Sequence, residues 1–465
     1  MNLRRVVLAV GALVAVVTLV GLPARATYGT RTSADEPQYL MSALSLGEDG
    51  DLDISDERYS AAYRSFHEAP LPVQSELQPD GSRLSPHNPL LPALLALPML
   101  IGGWVAAKAT LALLAGVLAA LMTWIAVRRL GLPVALSAIG VAIASLSPPL
   151  AFYATQVYPE LPAALAVAVA IALLTGPATP RSAAGLVAVV VVLPWLAVKY
   201  VFVAAALAAA ALWRHRAAQP TVIAMISAWA ALGAAYLAFN QAVYGGWTPY
   251  AAGDHFVGGE LTAIGTDPNY AGRAQRLLGL WVDRGFGLVA WQPAYLLAMP
   301  ALAWAARRRT GPWRLLAGVV AVGWLVASFV ALTMHGWWWP GRQVVVILPA
   351  VVLLVLAWVA TAGIRRHIPL LLGLAGVSTF LVVAVEATAG SIALIVDFTE
   401  TAHPGYQAWS TVLPDYLSPT AATWVLHGMW LSVAAGLAVW GWRSGTTGPE
   451  PASVEHDFAL PSPKV

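Results

Sequence analysis

Residues 4–40 read RRVVLAVGALVAVVTLVGLPARATYGTRTSADEPQYL. Two arginines precede an apolar run over 6–22, which is long enough to cross a bilayer as one helix. After a short polar stretch come two adjacent carboxylates, Asp35 and Glu36, with Pro37 directly behind them. Leu40, Ala43, Leu44 and Gly47 follow at helical spacing, so a short interfacial helix is expected after the proline. Ala24-Arg25-Ala26 resembles a signal-peptidase site. The length of the run favours a retained first helix instead, and on either reading the segment after it lies outside the cytoplasm.

Around this stretch nearly everything is lipid-soluble. The 465 residues are 59% hydrophobic and 11% charged, with a mean hydropathy of +0.70. Such values belong to polytopic membrane proteins. A net charge of +3 is too small to argue for a nucleic-acid partner. Cysteine is absent, which excludes disulfides, a thiolate nucleophile and Cys-based metal sites.

The expected architecture is an all-α polytopic membrane protein with about twelve transmembrane helices of bilayer length. Residues 1–442 form the membrane domain. Polar regions at 23–88, 240–285 and 386–419 are its outer loops, and 443–465 is a disordered cytoplasmic tail. Residues 90–101, interrupted by Pro92 and Pro98, read as a re-entrant or interfacial helix ahead of a span over 104–127. Residues 183–212, broken by Pro194 and Lys199, read as a tight pair of short spans, and 286–306 as a single one. Arg128, Arg129, Arg181, Arg214, Arg216, Arg307, Arg308, Arg309, Arg365, Arg366 and Arg443 then all fall on one side. This is the positive-inside pattern, with both termini cytoplasmic. The first outer loop holds eleven of the 23 acids. Its run GEDGDLDIS lacks the spacing and closing Glu of an EF-hand and reads as a solvated acidic loop.

Charge at the membrane is costly, so the outer-side survivors are site candidates. They are Asp35, Glu36, Arg83, His87, Glu160, Lys199, Asp254, His255, Asp283, Arg284, His335, Arg342 and Glu386. Arg342 follows Trp337-Trp338-Trp339-Pro340-Gly341; the tryptophans read as an interfacial belt or as a platform beside a phosphate-gripping arginine. Lys199 either snorkels to the interface or acts. Glu160 either complements a helix dipole or forms a second layer of carboxylate. Nucleotide-binding and hydrolase motifs such as a Walker A lysine, GxGxxG, HExxH and GxSxG are absent. The economical remaining chemistry is transfer from a lipid-borne activated donor to a hydroxyl. It needs a carboxylate to take the proton and cations for the leaving phosphate.

The order of motifs resembles the GT-C superfamily of polyprenyl-phosphate-sugar-dependent glycosyltransferases. The likeness is to bacterial relatives of protein O-mannosyltransferases and lipid A aminoarabinose transferase. DEPQYL follows one span, and SLGEDGDLDISDERY and SPHNPLLPALLALP come next, with Asn88 and Leu90 departing from the commonest form. SPPLAFYATQVYPE, LPWLAVKY, FNQAVYGGWTPY, DRGFGLVAWQPAYLLAMPAL and WWWPGRQVVVILPA continue it, so the resemblance spans residues 5–360. It implies a membrane-facing cavity for a polyprenyl-phosphate sugar and an inverting displacement. Asp35 is then the catalytic base or orients the acceptor hydroxyl. Glu36 supports it, or joins it in holding a divalent ion (Mg or Mn) where members use one. His87, Lys199, His335 and Arg342 are implied donor phosphate or sugar contacts, with Glu160 and Arg83 secondary candidates.

The expected function is transfer of a sugar from that donor to a cell-envelope glycan, lipid or protein hydroxyl. The expected place is the extracytoplasmic face of the plasma membrane. The alternatives are a flippase or transporter of lipid-linked sugars, and a polymerase or ligase of lipid-linked glycans. A transporter calls for charges near the bilayer midplane and some repeat symmetry.

Overall fold

The computed structural model describes residues 2–254, 268–308 and 311–444. His255, Arg309, part of the second polar loop and nearly all of the expected tail lie outside the described residues.

Those residues fold into nineteen α-helices joined by turns, and their only β pairings are isolated bridges. In order they are α1 (Leu3–Val20), α2 (Glu36–Glu48), α3 (Ser55–Tyr59), α4 (Leu90–Arg128), α5 (Val134–Ser145), α6 (Leu150–Tyr153) and α7 (Glu160–Leu174). Then come α8 (Pro180–Leu196), α9 (Val201–His215), α10 (Gln219–Tyr244), α11 (Tyr270–Ala274), α12 (Arg276–Val282), α13 (Leu288–Trp291) and α14 (Ala298–Arg307). The last are α15 (Trp313–Leu325), α16 (Leu348–Thr361), α17 (His367–Ala389), α18 (Pro404–Ser410) and α19 (Ala421–Arg443). Eight helical stretches among the described residues are long and apolar enough to cross a membrane, and α5, α7 and α8 are shorter apolar helices. The chain is an all-α multi-pass membrane protein.

Most expected boundaries reappear, among them the division between 101 and 104 and the pair within 183–212, and the span expected over 286–306 differs. Residues 90–128 form one helical run, and its break falls at Gly102 and Gly103, whose backbone angles are non-helical. Pro92 sits in the first turn, where its missing N–H costs nothing, and Pro98 is accommodated within the helix. The pair expected within 183–212 is present as α8 and α9, with Lys199 in the 3-10 turn Val198–Tyr200 between them. Residues 286–306 are not one helix. They form α13, a 3-10 turn over Pro293–Leu297 and α14, because Pro293 follows an extended Gln292 whose side chain accepts the Ala294 N–H.

α1 lies against the second half of α4 through small residues. A Cβ on Gly11 would meet the Gly116 carbonyl at 2.8 Å and Ala120 at 3.1 Å, and one on Gly116 would meet Ala15 at 2.9 Å. Gly11 and Ala15 thus face Gly116 and Ala120, a small-xxx-small contact on each helix, which is how helices pack closely without a hydrophobic drive. α2 packs on the first half of α4, where Gly47 meets Leu100 and the Ala96 carbonyl.

α7 and α9 fix two ends of the bundle. At one end, Arg214 donates to the Gly176 carbonyl at 2.8 Å, and Arg129 lies against the same glycine. At the other end stand Glu160, which opens α7, and Lys199, which precedes α9.

Replacing Gly116 with Leu is expected to separate α1 from α4. Yield and thermal stability of the detergent-solubilised protein should drop sharply, and Gly116→Ala, whose Cβ already meets the Gly11 carbonyl at 2.6 Å, should lower them by a smaller step. Equal stability of the Leu variant and the parent would show that the contact does not hold the helices.

Candidate active site

Ala34, Asp35 and Glu36 begin α2 in an unusual way. Ala34 has φ +48°, a left-handed conformation that costs an L-residue about 1–2 kcal/mol. Asp35 occupies the N-cap position, where aspartate ordinarily accepts a hydrogen bond from its own helix, yet its side chain makes no capping bond. The carboxylate points elsewhere, to Arg342, whose Nη2 lies 2.9 Å from Asp35 Oδ2.

Arg342 is the hub of the cluster. Its Nε donates to Glu160 Oε1 at 3.0 Å. Lys199 Nζ donates to the same Glu160 oxygen and to Gln343 Oε1, each at 2.9 Å. The guanidinium lies 4.0 Å from the Tyr158 ring centre and 4.7 Å from that of Trp338, so it is held by cation–π contact as well as by charge. Gly341 takes φ +86° to make the turn, and a Cβ there would meet Pro149 at 3.0 Å and Leu288 at 3.1 Å, closer than ordinary contact. Of the three consecutive tryptophans, Trp339 is core, Trp338 flanks Arg342 and Trp337 is exposed.

His87 Nε2 lies 3.9 Å from Asp35 Oδ1 and 3.3 Å from Gln74 Oε1. Its ring stacks on Tyr39 with centroids 4.6 Å apart. Asn88 donates to the Pro194 carbonyl at 2.9 Å and accepts from Val198 N at 3.2 Å. The residue that departs from the resembled motif therefore ties the His87 segment to the turn carrying Lys199. Glu160 is fully buried, while the side chains of Asp35, Lys199 and His87 remain 21%, 16% and 15% exposed. The cluster thus has a buried carboxylate floor and an accessible upper layer.

Glu36 has a different part. Its Oε1 accepts from Ser33 N at 3.2 Å and its Oε2 from Val157 N at 2.8 Å. Lys108 Nζ lies 3.9 Å from Oε2 and donates to the Arg31 carbonyl at 2.8 Å. Glu36 is wholly buried, and its geometry is that of a clamp between the loop, α4 and the turn before α7. Burial pushes its carboxyl up, against the pull of Lys108 and the two N–H groups. Burial also pushes the Asp35 carboxyl up, but the Arg342 guanidinium, followed by His87, outweighs it and holds Asp35 below its ordinary 3.8.

The structure brings Asp35, His87, Glu160, Lys199 and Arg342 together and leaves His335, Arg83, Asp283, Arg284 and Glu386 elsewhere. His335 stands beside Asp283, 3.6 Å away, in a separate polar cavity of about 270 Å³ lined by Arg276 and Tyr416. Arg83 donates to the Ser75 carbonyl at 2.7 Å, a contact within the first loop. Asp283 and Glu386 accept backbone N–H groups, and Arg284 donates to the Ser410 carbonyl. Lys108, Gln343 and Tyr158 were not singled out from sequence. Only Lys108 carried a signal, as an isolated charge within an apolar span.

A divalent ion shared by Asp35 and Glu36 does not fit this arrangement. Asp35 is taken by Arg342, both Glu36 oxygens accept backbone N–H groups, and Lys108 supplies positive charge beside Glu36.

No family model and no curated protein matches the chain. Among solved structures the chain is similar to the crystal structure of ArnT from Cupriavidus metallidurans bound to undecaprenyl phosphate. The two are 13% identical over 93% of this chain and 77% of that one, with a TM-score of 0.46. The chemistry is read from the cluster alone.

Arg342→Met leaves two acids without their shared cation and is expected to cost about 3–5 kcal/mol, the usual penalty for breaking a buried ion pair. Lys199→Met leaves Glu160 paired with Arg342 and should cost clearly less. Chemical denaturation of both variants checks the order. A second expectation concerns pH. Asp35 is held low in the folded protein, so its stabilisation is present above its unfolded value and is lost as pH falls through the folded one. Melting temperature measured from pH 6 downward should therefore fall less steeply in Asp35→Asn than in the parent.

Proposed function

We propose that the protein is an integral-membrane glycosyltransferase. It moves a sugar from a polyprenyl-phosphate donor to a hydroxyl of a cell-envelope acceptor, at the extracytoplasmic face of the plasma membrane. The observation that carries this reading is the Asp35 carboxylate, turned away from its own helix and held at a partly exposed cluster with Arg342, Lys199 and His87.

The roles follow from charge. A donor phosphate is drawn to Arg342 and Lys199, whose positions are set by the buried Glu160. While Arg342 holds Asp35, the carboxylate is a weak base. The phosphate competes for the guanidinium and so restores basicity to Asp35 as the donor binds. Asp35 then takes the proton of the acceptor hydroxyl. The hydroxyl oxygen bonds to the anomeric carbon, and the bond from that carbon to the phosphate oxygen breaks. Polyprenyl phosphate leaves with the electron pair, its added charge met by Arg342 and Lys199. Glu36 acts as a positioning residue through Ser33 and Val157. The active-site face is argued from the arginines at the opposite ends of α7 and α9, by the positive-inside rule; both termini are then cytoplasmic.

The location of the cluster favours an enzyme over a transporter of lipid-linked sugars. Asp35, Glu160, Lys199 and Arg342 all stand at helix starts or in turns, not along the middle of spans where a translocation path needs its charges.

Asp35→Asn is expected to lower transfer by about 10²–10⁴-fold, the usual worth of a general base, with expression unchanged. The assay supplies membranes containing each variant with a panel of polyprenyl-phosphate sugars and follows sugar release and transfer. Full activity in Asp35→Asn would overturn the assignment of the base.

A further inference from the structure

We propose that Asp49, Asp56 and Glu57 bind a calcium ion at the turn between α2 and α3. Crowded acids on a protein surface are common without any ligand, and Asp49 and Asp56 are exposed. Glu57 is what distinguishes this group. It is 3% exposed, and among the described residues neither of its carboxylate oxygens meets a donor from outside the cluster. A buried carboxylate that meets no donor is costly, and this one faces two further carboxylates. The ligating oxygens of the three residues lie within 4.8 Å of one another. Oxygens around one calcium ion, each about 2.3–2.6 Å from it, span that range.

The surrounding acids do not compete for the same role. Asp51 Oδ1 accepts from Ser45 Oγ at 2.9 Å and from Asp53 N at 3.0 Å. Asp53 Oδ1 accepts from the Ser55 N–H and hydroxyl and from Arg83 N. These two carboxylates shape the turn, which leaves Asp49, Asp56 and Glu57 converging on one point. A donor set of three carboxylates, with no imidazole or thiolate, selects a hard cation. Calcium tolerates an irregular shell completed by water, whereas magnesium demands near-ideal octahedral geometry and gives up its water reluctantly. The exposed side formed by Asp49 and Asp56 provides both the water positions and the route for exchange. Three protein carboxylates with water ligands suggest a weak site, with Kd about 10⁻⁴–10⁻³ M as in extracellular calcium modules.

The ion has a structural consequence. Asp49 is the residue that ends α2, and Asp56 and Glu57 lie in the first turn of α3. Calcium therefore joins the two helices at the end of α2 opposite Asp35.

The test is calorimetric titration of calcium chloride into the full chain in a non-ionic detergent, together with melting curves in calcium and in chelator. One saturable site per chain is expected, with a higher melting temperature in calcium and clearly weaker binding of magnesium. Glu57→Gln should abolish the site. Asp49→Asn and Asp56→Asn, both exposed and easily tolerated, should each weaken it by about tenfold. Glu76→Gln, an exposed acid of the same loop, should leave it unchanged. Absence of saturable binding with identical melting in calcium and chelator would overturn the proposal. So would calcium binding that Asp49→Asn, Asp56→Asn and Glu57→Gln all leave intact. Neither readout depends on transferase activity, so the proposal stands or falls apart from the functional reading above.

Discussion

The structure depends on one guanidinium. Arg342 sits between the carboxylates of Asp35 and Glu160, and Lys199 shares the second of them. Four segments far apart in the chain are thereby tied at one end of the bundle. Charges taken out of water are tolerated only when well paired. Glu160 is fully buried and Arg342 nearly so, and Glu160 Oε1 serves both cations while its Oε2 meets no donor among the described residues. Tyr158 and Trp338 complete the shell on the ring faces. The cluster therefore specifies how the loop after α1 meets the starts of α7, α9 and the segment leading to α16.

A second tether makes the first possible. Glu36 spends both oxygens on backbone N–H groups from its own loop and from Val157, just ahead of Tyr158. Adjacent residues at a helix start point about 100° apart around the axis. Asp35 and Glu36 therefore never share a target, although they stand side by side in the sequence. One acid is partly exposed and meets side-chain cations. The other is buried and fastens backbone.

Much of this was legible before any coordinates. The span, the acid pair behind it and the helix after Pro37 all appear where the residues suggest. So does the broken pair around Lys199, and Arg129 and Arg214 meet at the end of α7 away from Glu160. What sequence could not supply was partner choice over long range. Nothing local separates Asp35 from Glu36, or tells that Glu160 serves two cations while Glu386 accepts from a nearby threonine and a backbone N–H. His335 was grouped with Arg342 because they are seven residues apart in one motif. The turn between them sends the histidine to Asp283 and the arginine to Asp35. One helix break was missed for a related reason. The run over 286–306 reads as continuous, yet an extended Gln292 ahead of Pro293 divides it into α13, a 3-10 turn and α14. The division expected between 101 and 104 is present, and the glycine pair at 102 and 103 makes it.

The strongest pointer to Asp35 is what the chain gives up locally to present it. An aspartate at the N-cap that bonded its own helix would contribute about 0.5–2 kcal/mol, and that bond is forgone. An alanine in the left-handed region adds a further cost of about 1–2 kcal/mol, and Ala34 accepts it. Neither sacrifice serves α2, which would form better with the ordinary cap and an unstrained entry. Both serve the direction of one carboxylate, which they turn toward Arg342 and away from the helix. Departures from local preference persist when a longer-range requirement overrides them, and they gather at functional sites. Here two departures occur at consecutive residues and have the same effect. Solvated acids of the loop show the contrast: Asp51, Asp53 and Asp80 each bond the backbone two residues on, as short polar side chains do in turns. Asp35 alone among these aspartates leaves its neighbourhood unserved and reaches across the bundle.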